Sequence, residues 1–311
     1  VLILSVLAPT FLLIAFGAVL LRSGFVSPEF LREGNRMVYW FGLPALLFNE
    51  LATASLSVAG PAKLMVGTML AATAALIVLS YAGARLLRLP SSATGTFVQG
   101  AFRGNLAFVG LPIVYSLPAS LTVHGVPVRT IAVLTVAPML VVYNVVGILV
   151  LLASQLDVQR LSGRYLLQQI VTTPPLVATL AGLAYAVTGW PWPAVLHETF
   201  DALAQLALPL ALLGIGGALI TTPFGGAWLS PLSAALLKTA AAPALGWLCG
   251  QWLGLGPLEL KLVMVLLATP TAVISYTKVV EMEGSPALAS GSIVFSTALS
   301  ILSLVAILAL V

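Results

Sequence analysis

Nine consecutive residues, Gly104-Asn-Leu-Ala-Phe-Val-Gly-Leu-Pro112, hold chemistry that an ordinary apolar helix lacks. Asn105 carries an amide that both donates and accepts hydrogen bonds. Pro112 has no backbone N–H and crowds the carbonyl four residues earlier. Gly110 lets the chain leave helical angles cheaply. The run from Pro90 to Leu117 is otherwise hydrophobic enough to be a membrane span. In hydrocarbon, each freed backbone group costs several kcal/mol unless protein, water or ligand satisfies it. A span that keeps such a break is therefore buried against other helices or lines a cavity. Half-helix N-termini facing a gap attract anions. Asn105, Phe108 and Pro112 share one face of an intact helix, at spacings of three and seven. That face suits a carboxylate on the Asn105 amide and an apolar body on Phe108.

Three further polar residues lie inside apolar runs. Arg103 is a functional-site hypothesis by its position alone. On an intact helix it points about 200° from Asn105, so it either contacts substrate or snorkels to the headgroups. Lys238 is expected to snorkel. Asn144 is either a second polar contact or a helix–helix hydrogen bond, and the second is favoured.

A partner for the first stretch stands at Ala268-Thr-Pro-Thr-Ala-Val-Ile-Ser275. Pro270 lies 13 residues from Pro257, or about 20 Å of helix. Asn105 and Gly110 lie 15 and 20 residues from Pro90, so both interruptions fall near mid-bilayer. Two interrupted spans in corresponding places of two halves point to a substrate site. The expected binding set is Arg103, Gly104, Asn105, Phe108, Gly110 and Pro112, with Pro270, Thr271 and Ser275 opposite and Asn144 from a third span. Glu50, Glu198 and Asp201 fall near outer span ends, and Glu281 and Glu283 near the inner face. No deep carboxylate relay of the proton-pump kind is expected. His124 and His197 read as outer-loop residues. Neither His-Glu-x-x-His nor Gly-x-Ser-x-Gly occurs, so no catalytic, metal or cofactor site is expected.

The elements that must position these groups follow from composition. Of 311 residues, 60% are hydrophobic and only 7% charged, against roughly 25% charged in a soluble domain. The chain reads as an all-α polytopic membrane protein, because its apolar runs are continuous rather than alternating. The net charge of +4 acts here as an orientation signal, not a nucleic-acid footprint. Ten spans are expected: residues 2–21, 37–53, 61–86, 90–117, 127–153, 167–188, 199–219, 231–253, 258–279 and 286–310. Odd-numbered connections hold eight Lys and Arg and even-numbered ones three, which places the former in the cytoplasm and both termini outside. Cys249 stands alone and makes no intrachain disulfide.

An internal repeat is legible in glycine and proline. Pro9, Gly17, Gly24, Pro28 and Pro44 recur 165 residues on as Pro174, Gly182, Gly189, Pro193 and Pro209. Residues 1–153 are then a first five-helix repeat, 154–165 a cytoplasmic connection, and 166–311 a second repeat. An odd number of spans per copy inverts the second, which is a transporter architecture with spans 4 and 9 broken and crossing.

Gly104-Asn105-x4-Gly110-x-Pro112 resembles the signature of the auxin efflux carrier family. Gly42-Leu-Pro-Ala-Leu-Leu-Phe48 is similar to a run in its bacterial members, as are the opening Pro9-Thr-Phe-Leu-Leu-Ile-Ala-Phe-Gly17 and Arg22-x-Gly24. Span 9 departs from the family's pattern: Thr271 stands where a second Pro is usual, and Ile274 where an Asn is. The resemblance implies a fold distantly related to the bile acid–sodium symporters. It implies a scaffold of spans 1, 2, 6 and 7 and a transport domain of spans 3–5 and 8–10, working as an elevator. It further implies export or import of a small organic anion, a carboxylate, across a bacterial inner membrane. The rival readings are a sodium-coupled symporter of an amphipathic anion, a non-transporting sensor and an intramembrane enzyme. Gly214, Gly216 and Gly217 in span 7 allow close helix packing, and beside the lipid bilayer a homodimer through the scaffold is one assembly open to the chain.

Overall fold

The computed structural model describes residues 2–53, 59–154, 173–221 and 228–310. The connection expected at 154–165 lies outside these except for Ser154. Among the described residues the regular elements are helices and one two-stranded hairpin. In order, the helices are α1 (Leu2–Arg22), α2 (Pro28–Met37), α3 (Leu43–Ala52), α4 (Ala59–Leu86) and α5 (Ser91–Phe102). Then come α6 (Leu111–Tyr115), the hairpin strands β1 (Thr122–Val123) and β2 (Val126–Pro127), α7 (Val128–Ser154) and α8 (Pro174–Thr188). The last six are α9 (Ala194–Thr221), α10 (Leu229–Leu236), α11 (Ala242–Leu253), α12 (Pro257–Leu267), α13 (Ile274–Glu281) and α14 (Pro286–Leu310).

Among the described residues, five stretches are long and apolar enough to cross a membrane: 62–86, 128–154, 194–221, 229–253 and 286–309. Between 39% and 50% of each is buried within the protein. The rest exposes apolar side chains such as Val78, Leu206 and Leu302, the arrangement of helices that face lipid on one side and protein on the other.

Three turns of π-helix interrupt the α-helices: Val38–Gly42, Leu106–Gly110 and Leu237–Ala241. Each is followed at the second helical position by a proline, Pro44, Pro112 or Pro243. The cause is local. A proline inside a helix cannot donate to the carbonyl four residues back and clashes with it, and widening that turn by one residue relieves both. The Gly-Leu-Pro triplets at 42–44 and 110–112 thus produce π turns, not gaps in the helix.

The chain divides into two compact units that cut across the sequence repeat. The first comprises Val1–Lys63, Ala107–Val141 and Leu167–Thr221. Within it α1 packs along α9, α3 along α8, and α9 also against α2 and α3. Ser27 caps α2 by accepting from the Phe30 N–H at 3.1 Å, with Pro28 at the first turn. The glycines of α9 are engaged inside this unit. A Cβ at Gly214 would strike Asn35, one at Gly216 the Ile14 carbonyl, and one at Gly217 the Leu31 side chain. They seat α1 and α2 against α9, the close helix packing that the sequence allows. His124 and Gly125 form the hairpin turn, with φ of 51° and 81°, the left-handed pair that a two-residue hairpin requires. His197 belongs to α9 rather than to a loop, and its Nδ1 lies 2.8 Å from Asn49 Oδ1, which also accepts from Trp192 Nε1 at 2.9 Å.

The second unit comprises Leu64–Leu106, Val142–Leu166 and Thr222–Val311. Here α10 packs on α14 and α5, α11 on α12, and α14 on α5 and α13. Its interior includes a file of small hydroxyl residues on α14: Ser292, Ser296, Thr297 and Ser300. Each donates to a carbonyl three or four residues back, which satisfies it in an apolar interior and leaves slim surfaces for close packing.

Candidate functional site

The second unit builds its centre from two interrupted helices. The first, α5, ends at Phe102, and Arg103 leaves it with φ −78° and ψ 90°. The second, α12, ends at Leu267, and α13 resumes at Ile274. Between these ends residues 103–105 and 270–272 run as two short non-helical pieces, and these pair. Gly104 and Thr271 form an antiparallel bridge. Asn105 N–H donates to Pro270 O at 2.8 Å, and Ala272 N–H donates to Arg103 O at 2.9 Å. The Thr271 N–H donates to Ser296 Oγ at 2.9 Å, and its hydroxyl donates to Gly100 O at 2.7 Å. Each break thereby satisfies much of the other's backbone, the condition for non-helical chain at membrane depth. Open N–H groups are fewer here than the sequence alone suggests.

This unit brings together seven of the ten expected residues: Arg103, Gly104, Asn105, Asn144, Pro270, Thr271 and Ser275. All but Asn144 are nearly or fully buried. The break lies at Arg103–Asn105, earlier than the Gly110–Pro112 signal implies. Consequently Asn105 is not helical and shares no helix face with Phe108 and Pro112. Those two and Gly110 fall in the first unit, where Phe108 packs with Leu210 against Val38, Ala207 and Ala211. The Ser275 hydroxyl is 2% exposed and makes no hydrogen bond among the described residues.

Two cations flank the paired breaks. Arg103 is 4% exposed and its Nη2 donates to Asn144 Oδ1, on α7, at 2.5 Å. It is held inside the protein rather than snorkelling, and Asn144 ties the break to α7. Lys238 departs further from expectation. It is fully buried, and its Nζ donates to the carbonyl of Leu267, the last residue of α12. A Cβ at Gly104 would stand 3.0 Å from Lys238 Cε and 2.7 Å from Thr269 Oγ1. The π turn before Pro243 carries Lys238, and that turn packs on α5, α11 and α14. An ammonium against a helix C-terminal carbonyl meets the negative end of the helix dipole. Lys238 has no carboxylate partner among the described residues, and no group of three or more His, Cys, Asp or Glu there could hold a metal. Glu259 is held apart at the start of α12, where it accepts from Gly256 N–H at 2.6 Å.

Sequence reasoning also passed over Gln99. It lies one helical turn before Arg103 and is fully buried. A polar residue four positions from an intramembrane arginine was the available signal.

An all-α membrane protein with two broken helices paired at a buried, cationic centre is built as a transporter is built. The chain belongs to the membrane transport protein family, the auxin efflux carrier family, whose profile matches residues 2–308. No curated protein matches it.

Proposed function

We propose that this protein is a secondary transporter that moves a small organic anion, a carboxylate, by elevator-type alternating access. The observation that carries the reading is the pair of buried cations beside the paired breaks. A positive centre in an apolar surrounding attracts an anion strongly, since charge is poorly screened there. Asn105 and Ser275 supply polar side chains at the same breaks, and Thr271 holds the backbone that presents them. Spans 3–5 and 8–10 would carry the substrate, and the ten spans would form two inverted five-helix repeats. The orientation, with both termini outside a bacterial inner membrane, rests on the Lys and Arg bias of the connections. A homodimer would use surfaces other than the α9 glycines already engaged by α1 and α2.

Lys238 bears on the coupling ion. In transporters with broken helices, half-helix C-terminal carbonyls coordinate the coupling cation. Here the Leu267 carbonyl already accepts from an ammonium. This favours movement driven by membrane potential over sodium coupling.

The test is uptake of labelled mono- and dicarboxylates into proteoliposomes at an imposed potential, with Asn105→Ala alongside. Flux of an anion in the intact protein, reduced at least ~100-fold in the variant, is expected from a misplaced positioning group. Flux that is unchanged by the substitution removes Asn105 from the site. Flux that needs sodium overturns the coupling. Ligand binding with no flux identifies a sensor.

A further inference from the structure

The ten residues of α2 carry three kinds of side chain on three faces. At about 100° per residue, Leu31 and Gly34 share one face, and both are buried. Phe30 and Met37 share a second face, and both are exposed. Glu29, Arg32, Glu33 and Arg36 share the third. A helix with one face in protein, one apolar face uncovered and one charged face lies in the plane of the membrane interface. This helix therefore runs at the level of the lipid headgroups.

Between α2 and the ends of α1 and α9 there is a cavity of about 190 Å³. Leu21 and Leu31 give it apolar walls, and Arg32, Asn35 and Thr221 line it with polar groups. Arg32 is its one charged lining residue, and neither Glu29 nor Glu33 lines it. The guanidinium makes no hydrogen bond or ion pair among the described residues. It is therefore not engaged by the carbonyls that end α9, the ordinary use of a cation in this position. At ~30 Å³ per water, the cavity has room for about six waters. That is less than the roughly 300 Å³ at which small-molecule pockets begin, but enough for one phosphate group and the first carbons of its ester. Ile220, beside Thr221 on α9, is exposed, so chains attached to that phosphate can lie along the outside of the protein.

We propose that this cavity binds the phosphate head of an anionic phospholipid, one molecule wedged between α1, α2 and α9. All its lining residues lie in the first unit. The inference needs only the chain's place in a membrane, not the substrate it moves. The Arg32 guanidinium donates to the phosphate oxygens as a fork, and Asn35 donates from its amide. Leu21 and Leu31 cover the first carbons. Charge sets the preference, because a zwitterionic head brings its own cation against Arg32. Depth sets the source: at the level of α2 the abundant anions are lipid phosphodiesters. The Lys and Arg bias of the connections turns this end toward the cytoplasmic leaflet, which carries the anionic lipids.

The experiment titrates the full chain in detergent with phosphatidylglycerol or phosphatidylcholine of the same acyl chains and counts bound lipid by native mass spectrometry. Each protein is first shown to be monodisperse. Wild type should bind one phosphatidylglycerol about tenfold or more tighter than phosphatidylcholine, the difference made by one charge-assisted contact. Arg32→Gln should bring that ratio to near unity. Arg36→Gln removes the same charge one turn on, outside the cavity lining, and should keep the ratio. Ala218→Leu fills the cavity with Arg32 in place and should weaken phosphatidylglycerol binding at least ~10-fold. A preference that survives Arg32→Gln, or falls equally in Arg36→Gln, overturns the proposal. Unchanged binding in Ala218→Leu, or equal affinity for the two lipids in wild type, does the same. Displacement of the lipid by millimolar inorganic phosphate assigns the cavity to a soluble anion and overturns the lipid. None of these outcomes depends on flux, so the transport reading stands or falls separately.

Discussion

Gly104→Ala tests whether the two breaks are held as tightly as their geometry implies. The added methyl would stand 2.7 Å from Thr269 Oγ1, 3.0 Å from Lys238 Cε and 3.1 Å from Lys238 Nζ. The first distance is shorter than real Cβ atoms show, and the hydroxyl it meets is anchored to Leu266 O at 2.7 Å. Lys238 is anchored to the Leu267 carbonyl, so neither neighbour yields without losing a bond. Overpacking of a close-fitted site costs about 1–3 kcal/mol. If the strands separate instead, the bonds from Asn105 N–H and Ala272 N–H weaken, at about 1 kcal/mol each. Either route destabilises by about 1–3 kcal/mol, a few degrees in melting temperature for a chain of this size. Flux should fall more steeply than stability, because a positioning error of about 1 Å can cost ~100-fold. The assay pairs a thermal melt in detergent with proteoliposome flux. Gly67→Ala is the control: nothing lies within 4 Å of a Cβ there, in the middle of α4. It should raise stability by about 0.5–1 kcal/mol through helix propensity. Gly104→Ala that melts and transports as wild type does would refute the tight pairing.

Two further substitutions probe the same centre. Thr271→Val keeps the shape but removes the hydroxyl that donates to Gly100 O; the orphaned buried carbonyl should cost about 1–3 kcal/mol, read as a lower melting temperature. Lys238→Met removes the charge and leaves the Leu267 carbonyl without its donor. Uptake of a labelled carboxylate should fall at least ~10-fold, since one buried charge-assisted contact is worth roughly 1.5–3 kcal/mol. Uptake equal to wild type would remove Lys238 from the transport centre.

The sequence by itself determined the class and marked which two spans are interrupted. Continuous apolar runs with almost no charge allow only membrane-spanning helices, because hydrocarbon satisfies no backbone group. Gly and Pro at mid-span in two places marked helices that stop and resume, and Arg103, Asn105 and Thr271 were legible from residue type and depth. Local chemistry also fixed details the pattern alone left ambiguous. The prolines at 44, 112 and 243 widen the turns before them into π-helix, a consequence of one missing N–H. Tertiary structure decided the rest. Whether Lys238 reaches lipid headgroups or a helix end depends on what packs over it. Here the Leu267 carbonyl and Gly104, respectively 29 and 134 residues away in the chain, meet it in the interior. The break was placed at Arg103–Asn105 rather than at Gly110–Pro112 for the same reason. Proline and glycine make departure from a helix cheap, but a stretch becomes extended in an apolar interior only where another chain segment accepts its hydrogen bonds. Thr271, far off in sequence, supplies that partner for Gly104, and no local pattern encodes such a meeting.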